Sequence, residues 1–195
     1  MIELSKGIEL DFEKAMPELV AAMLGMGWNV NKDDSTDTTE DDFDLDSSVF
    51  MLDKSGKLPD KHHVVYYNNL KSPDSEVCIE HMGDNLTGAG EGDDEVILFD
   101  LRKVPDYIHK LVITVTIHRA QKRNQNFGMV EDAFLRVVNV SSKEEVLRFD
   151  LDEEFTLETS VILTEIYRTD TGWAIKALAE GVDGGLDELV SKYTA

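Results

Sequence analysis

The sequence predicts an all-β protein: one antiparallel β-sandwich domain over residues 1–195, with about ten strands and one or two short helices. Three features carry this reading. Short apolar or alternating runs recur along the whole chain, turn residues separate them, and helical periods are few. The runs are residues 2–4, 8–10, 49–52, 63–67, 77–79, 96–99, 111–118, 134–140, 146–151, 161–167 and 173–178. Between them lie Ser55-Gly56, Ser72-Pro73-Asp74, Gly83-Asp84-Asn85 and Asp170-Thr171-Gly172, all with turn chemistry. Short helices are expected at 105–110 and 186–193. Residues 16–24 conflict with the pattern locally, because Met, Leu and Ala favour helix there, although tertiary context can draw such a segment into a sheet.

Composition narrows the function. With 40 acidic and 19 basic residues in 195, the formal charge is −21, while 42% of residues are hydrophobic. A chain of this size buries roughly 70% of its unfolded surface, so no disulfide or metal staple is required for folding. Its field at neutral pH repels phosphate backbones and anionic headgroups, which argues against direct nucleic-acid binding. Cys78 is the only cysteine, which excludes an intramolecular disulfide and suits a reducing compartment. Set between Val77 and Ile79, it reads as a small buried residue rather than a nucleophile. The N-terminus has no basic segment leading into an apolar core. The longest mostly apolar stretch, residues 19–28, is too short to span a bilayer. A soluble, cytoplasmic protein without a transmembrane segment is expected.

The excess acid is concentrated in two windows. Residues 33–46 and 76–100 each hold eight Asp or Glu and no Lys or Arg, and together carry −16 of the net charge. Within the first, residues 33–42 read as a flexible acidic loop. The second contains Gly83-Asp-Asn-Leu-Thr-Gly-Ala-Gly-Glu-Gly-Asp-Asp-Glu95, directly before an apolar strand. Glycines there let backbone carbonyls turn inward. Asp84, Asn85 and Thr87 at one end, and Asp93, Asp94 and Glu95 at the other, supply hard oxygen donors of the kind Ca²⁺ takes in sets of six to eight. Upstream, Phe43-Asp44-Leu45-Asp46 in an extended conformation puts Asp44 and Asp46 on one face, with Phe43 and Leu45 toward the core. Two carboxylates ~7 Å apart repel by about 2 kcal/mol at an effective dielectric of 20. A divalent cation reverses that cost. The six carboxylates Asp44, Asp46, Asp84, Asp93, Asp94 and Glu95 suffice for two adjacent ions, and replacing Asp93 and Asp94 with Asn is expected to remove most of the Ca²⁺ response. An EF-hand is rejected: Ser47 stands where that loop needs Gly, and residues 49–52 read as strand.

These residues also resemble a known family. Phe43-Asp-Leu-Asp-Ser-Ser-Val-Phe-Met-Leu52, Val65-Tyr-Tyr-Asn-Asn69 and His81-Met-Gly-Asp-Asn-Leu-Thr-Gly-Ala-Gly-Glu-Gly-Asp-Asp-Glu95 resemble the TerD family of bacterial tellurium-resistance and stress-response proteins. The likeness continues through Phe127-Gly128, Ala133-Phe134, Arg136-Val137, Glu165-Ile-Tyr-Arg168 and Trp173. It implies a β-sandwich that binds Ca²⁺, usually two ions, in loops at one end, with a role in resistance to tellurite and other stresses and without established enzymatic activity, so a non-enzyme is expected. Asp44, Asp46, Asp84, Asn85, Thr87, Asp93, Asp94 and Glu95 fall on its acidic motifs, and Asn68 or Asn69 would add oxygen. Protein partners are expected, other Ter-type proteins among them. One departure is Asn29 after Gly27-Trp28, where the family tends to have Asp.

Other chemistries fit less well. Cys78 and His81 have no second Cys/His pair at zinc-finger spacing, and His62, His63, His109 and His118 add none. The alternative is an enzyme that holds Mg²⁺ on a phosphorylated substrate through the same carboxylates, with His81 as the one nearby base. Docking on an anionic membrane through bound Ca²⁺ is a weaker third.

Overall fold

The computed structural model describes residues 1–17, 19–29, 43–86, 92–151 and 155–194. The expected loop at 33–42 and the ligand candidate Thr87 lie outside them. Among the described residues there are twelve strands: β1 (Ile2–Glu3), β2 (Glu9–Asp11), β3 (Ala21–Asn29), β4 (Leu45–Asp53), β5 (Val64–Val65), β6 (Ile79–His81), β7 (Glu95–Asp100), β8 (Ile108–Ile117), β9 (Glu131–Asn139), β10 (Glu145–Asp150), β11 (Ser160–Arg168) and β12 (Trp173–Val182). Short helices are α1 (Phe12–Ala15), α2 (Ala120–Arg123) and α3 (Leu186–Thr194).

The strands form two six-stranded sheets, ordered β1-β10-β9-β3-β7-β6 and β2-β12-β11-β8-β4-β5. Every pairing is antiparallel except β1 with β10, so the first sheet is mixed. Alternation sends Leu24, Met26, Ile97, Phe99, Leu135 and Val137 from the first sheet against Leu45, Val49, Met51, Ile113, Val115 and Leu163 from the second. This interleaved layer is the main core, and the architecture is the expected sandwich.

The outer face of the second sheet is also buried. Phe50, Leu52, Val112 and Ile162 point away from the main core and form a second apolar layer with Leu189. In α3, Leu186, Leu189, Val190 and Tyr193 share one face by their i, i+3, i+4, i+7 spacing, and all four pack on that layer. Buried on both faces, β4 carries an unbroken apolar run over its second half, Val49 to Leu52.

Two local expectations resolve differently. Residues 21–24 join β3, the strand between β9 and β7, and not a helix. Ala22, Leu24, Met26 and Trp28 alternate into the core, and Gly25 and Gly27, poor helix residues, occupy the outward positions. No helix spans 105–110: a 3₁₀ turn at Leu101–Lys103 is followed by β8 from Ile108. The Arg168 guanidinium donates to the carbonyls of Val104, Pro105 and Ile108 at 2.8–3.1 Å, which occupies acceptors a helix would use. The expected C-terminal helix is present as α3.

Leu189 is fully buried beneath α3. Leu189→Ala is expected to destabilise the protein by about 2–4 kcal/mol through lost burial and a residual cavity. Urea unfolding measures this directly.

Candidate functional site

The antiparallel ladder between β4 and β8 brings the start of one beside the end of the other, with Asp46 opposite Thr116 and the His118 amide donating to the Asp44 carbonyl at 2.8 Å. In the first sheet, β6 ends and β7 begins at the same end of the sandwich, which delivers Asp84 and Glu95. Ser47 ties the two sheets together there, its backbone amide donating to Glu95 Oε2 at 2.8 Å.

Asp44, Asp46 and Asp84 converge, each offering a carboxylate oxygen within 4.8 Å of the others. Two oxygens each about 2.4 Å from one ion sit at most about 4.8 Å apart, so the three oxygens fall within the span of one Ca²⁺ oxygen shell. Asp44 and Asp46 are buried and Asp84 is exposed. As expected, Phe43 and Leu45 fill the core while Asp44 and Asp46 share the opposite side. Glu95 is buried beside this group, and its charge helps to raise the Asp84 carboxyl.

Crowding of desolvated carboxylates dominates the electrostatics. Burial, then the charges of Asp44, Glu95 and Asp84, push the Asp46 carboxyl up to about 8. Burial also raises Asp44 and Asp84, against the opposing influence of His118. The His118 ring approaches Asp46 Oδ2 at 3.4 Å, and Tyr67 packs edge-on against it with centroids 6.0 Å apart. Asp44 Oδ1 and Glu95 Oε1 are buried with no hydrogen-bond partner. Such oxygens are costly without a donor or a cation. The donors are hard carboxylate oxygens, two of them bare, so the residues fit a Ca²⁺-type ion.

The remaining expected ligands are placed elsewhere. Both oxygens of Asp93 are taken by Arg136, Nε to Oδ1 at 2.8 Å and a terminal nitrogen to Oδ2 at 3.0 Å. This pair lies over β3, where a Cβ on Gly25 would come within 2.3 Å of Asp93 Cγ. Asp94 accepts from the Trp28 amide at 3.0 Å and from Asn85 Nδ2 at 2.9 Å, so Asn85 binds Asp94 through its amide nitrogen. Asn68 is exposed at the turn joining Tyr66 to Asn69, next to Tyr67, and the Asn69 amide group donates to the carbonyls of His62 and Val64. Cys78 is buried, and burial raises its thiol, in keeping with an inert packing role.

Sequence reasoning gave Ser47 and His118 no place in the site. A signal for Ser47 was available: a hydroxyl residue at an inward position between Leu45 and Val49 needs a buried polar partner. Trp28 is buried in the core, and it also holds Asp94 through its amide and the Phe43 carbonyl through its indole nitrogen, each at 3.0 Å.

Fold and site together define a class: a two-sheet β-sandwich with a desolvated carboxylate cluster at one end. The TerD domain model matches residues 1–193, and the chain belongs to the TerD family. It is 44% identical to General stress protein 16U of Bacillus subtilis over 192 residues, covering 98% of this chain and 96% of that protein. It is 41% identical to Tellurium resistance protein TerD of Serratia marcescens over 192 residues, with the same coverage of each. The crystal structure of a telluride resistance protein (TerD) homologue from Streptomyces coelicolor superposes with a TM-score of 0.71 at 20% identity, covering 88% of this chain and 95% of that one, a likeness of fold. Among the described residues, no helix is long and apolar enough to cross a membrane.

Asp93→Asn is expected to lower the unfolding free energy by about 1.5–3 kcal/mol through loss of the charged pair with Arg136, and to leave divalent-ion binding near wild type in calorimetry. The Asp46 carboxyl keeps its proton in the folded state up to about 8, whereas the unfolded chain releases it near 3.8. Folded protein therefore binds more protons between those values, and metal-free protein should lose stability as pH rises from 4 to 8. Thermal midpoints in chelator at pH 5 and pH 8 test this, with Asp46→Asn expected to flatten the difference.

Proposed function

We propose that this protein is a Ca²⁺-binding stress-response protein of the tellurium-resistance type, working in the cytoplasm through protein partners and not by catalysis. Asp44, Asp46, Asp84 and Glu95 would hold the ion. The observation that carries this reading is the pair of bare, buried oxygens: Asp44 Oδ1, within the group Asp44, Asp46 and Asp84, and Glu95 Oε1, whose carboxylate raises the pKa of all three. The ion would neutralise mutual repulsion and order the acidic end, changing the surface offered to a partner, other Ter-type proteins included. The second ion implied by the family would draw on Asp94, Asn85 and Thr87. The stress role draws on the names of the relatives, one a general stress protein and another a tellurium-resistance protein.

Calorimetric titration of chelator-stripped protein with Ca²⁺ and then Mg²⁺ tests the reading. The expected result is micromolar or tighter Ca²⁺ binding, weak Mg²⁺ binding and loss of the Ca²⁺ heat in Asp46→Asn. At 100 times the dissociation constant one site adds roughly 2.7 kcal/mol, or a rise in thermal midpoint of roughly 5–10 °C for a chain of this length. Absence of Ca²⁺ heat overturns the assignment. A preference for Mg²⁺ also overturns it and redirects attention to phosphorylated substrates.

A further inference from the structure

The fold treats the two carboxylate oxygens of Glu95 unequally. Oε2 accepts from the Ser47 amide at 2.8 Å and from the Ser47 hydroxyl at 2.6 Å, and His81 Nε2 lies 3.5 Å away. Oε1 is equally shut off from water and has no donor. Ser47 comes from the second sheet and His81 and Glu95 from the first, so this polar triangle bridges the sheets at the end of the apolar core. The His81 and Glu95 side chains are both 0% exposed.

The hydrogen bonds also fix the tautomer of His81. Its Nδ1 accepts from the Gly83 amide at 3.2 Å, and a nitrogen that accepts carries no hydrogen. The hydrogen of the neutral ring is therefore on Nε2, the atom 3.4 Å from Ser47 Oγ and 3.5 Å from Glu95 Oε2. Because the Ser47 hydroxyl donates to Glu95, its lone pairs remain free to accept from His81. Gly83, immediately before Asp84, is thereby tied to the same triangle through its amide.

We infer that Ser47 and His81 are positioning residues for Glu95: they anchor Oε2 between the sheets and hold Oε1 toward the carboxylate cluster, where it serves as a cation ligand. The inference rests on the proposed cation reading for its ligand, but its geometry stands on the protein alone. A carboxylate with one oxygen saturated by the protein has one orientation to offer, and the cluster gains a ligand that need not be ordered when the ion arrives. Outer-shell partners of this kind typically contribute 10–100-fold in metal affinity.

The test compares chelator-stripped wild type, Ser47→Ala, His81→Phe and His81→Gln by Ca²⁺ calorimetry, with circular dichroism and the metal-free thermal midpoint as folding controls. Ser47→Ala and His81→Phe are expected to bind Ca²⁺ 10–100-fold more weakly while folded. His81→Gln, with an amide donor in place of Nε2–H, is expected to recover most of the affinity. If His81→Phe does not fold, Ser47→Ala, which deletes a single hydroxyl, decides the matter. Folded variants with wild-type affinity overturn the inference. In parallel, ¹⁵N NMR of the His81 ring in metal-free wild type is expected to find the Nε2–H tautomer, and an Nδ1–H tautomer overturns the anchoring geometry. Absence of Ca²⁺ binding by wild type itself overturns the cation reading and with it the ligand role of Oε1. The NMR result separates that failure from a failure of the triangle.

Discussion

The structure at its acidic end depends on one constraint: carboxylates removed from water and set beside one another, with too few donors to satisfy them. Burial alone makes ionised Asp46 costly, and the neighbouring charges of Asp44, Glu95 and Asp84 add to the cost. The two sheets impose this arrangement. Asp46 is carried by a strand that is buried along nearly its whole length, with Asp44 directly before it between buried Phe43 and Leu45, and Glu95 opens a strand whose next inward residues, Ile97 and Phe99, lie in the main core. Neither strand can move its carboxylates apart without giving up apolar burial worth roughly 1.5–3 kcal/mol for each large side chain. The repulsion is therefore held in place by packing, and it is available to be relieved by a proton or, as proposed, a cation.

Three consecutive acidic residues illustrate how the fold distributes this charge. Asp93 is neutralised by Arg136 on the outside of the first sheet, Asp94 is held by the Trp28 amide and Asn85, and Glu95 turns inward to Ser47. Gly25 and Gly27 make the crossing feasible, because a Cβ at either would collide with the segment that passes over β3. Trp28 links this segment to the other acidic stretch by holding Asp94 with its amide and the Phe43 carbonyl with its indole. A single residue of the central strand thus sets the spacing between the two charge windows.

Most of the sandwich was legible because its strands show a period of two between recognisable turns, and such patterns need no knowledge of partners. β3 was hidden: Ala, Met and Leu favour helix, and the outward glycines make sense only beneath Asp93 and Gly92. The site divides in the same way. Asp44 and Asp46 were legible from their i, i+2 spacing, and Asp84 and Glu95 from the acid-rich run. The roles of Asp93 and Asp94 were not, since their partners Arg136 and Trp28 are 43 and 66 residues away in sequence. Local spacing records which groups are available. Which of them are already satisfied by distant donors is decided by the tertiary structure.

The apolar layers place a limit on what any ion can do here. Cohesion comes from the core between the sheets and from the second layer under α3, both built mainly from apolar residues. Small metal-dependent domains that lack such cores unfold without their ion, because binding free energy is their folding free energy. This chain is in the other regime, where a ligand adds to an existing stability by mass action. Its effect is then centred on the carboxylates it would touch and falls off toward the opposite end of the sandwich. A cation at this site would change the shape and charge of one end while leaving the scaffold intact. That is the behaviour a binding protein needs if its partner is to sense the ion and not the fold.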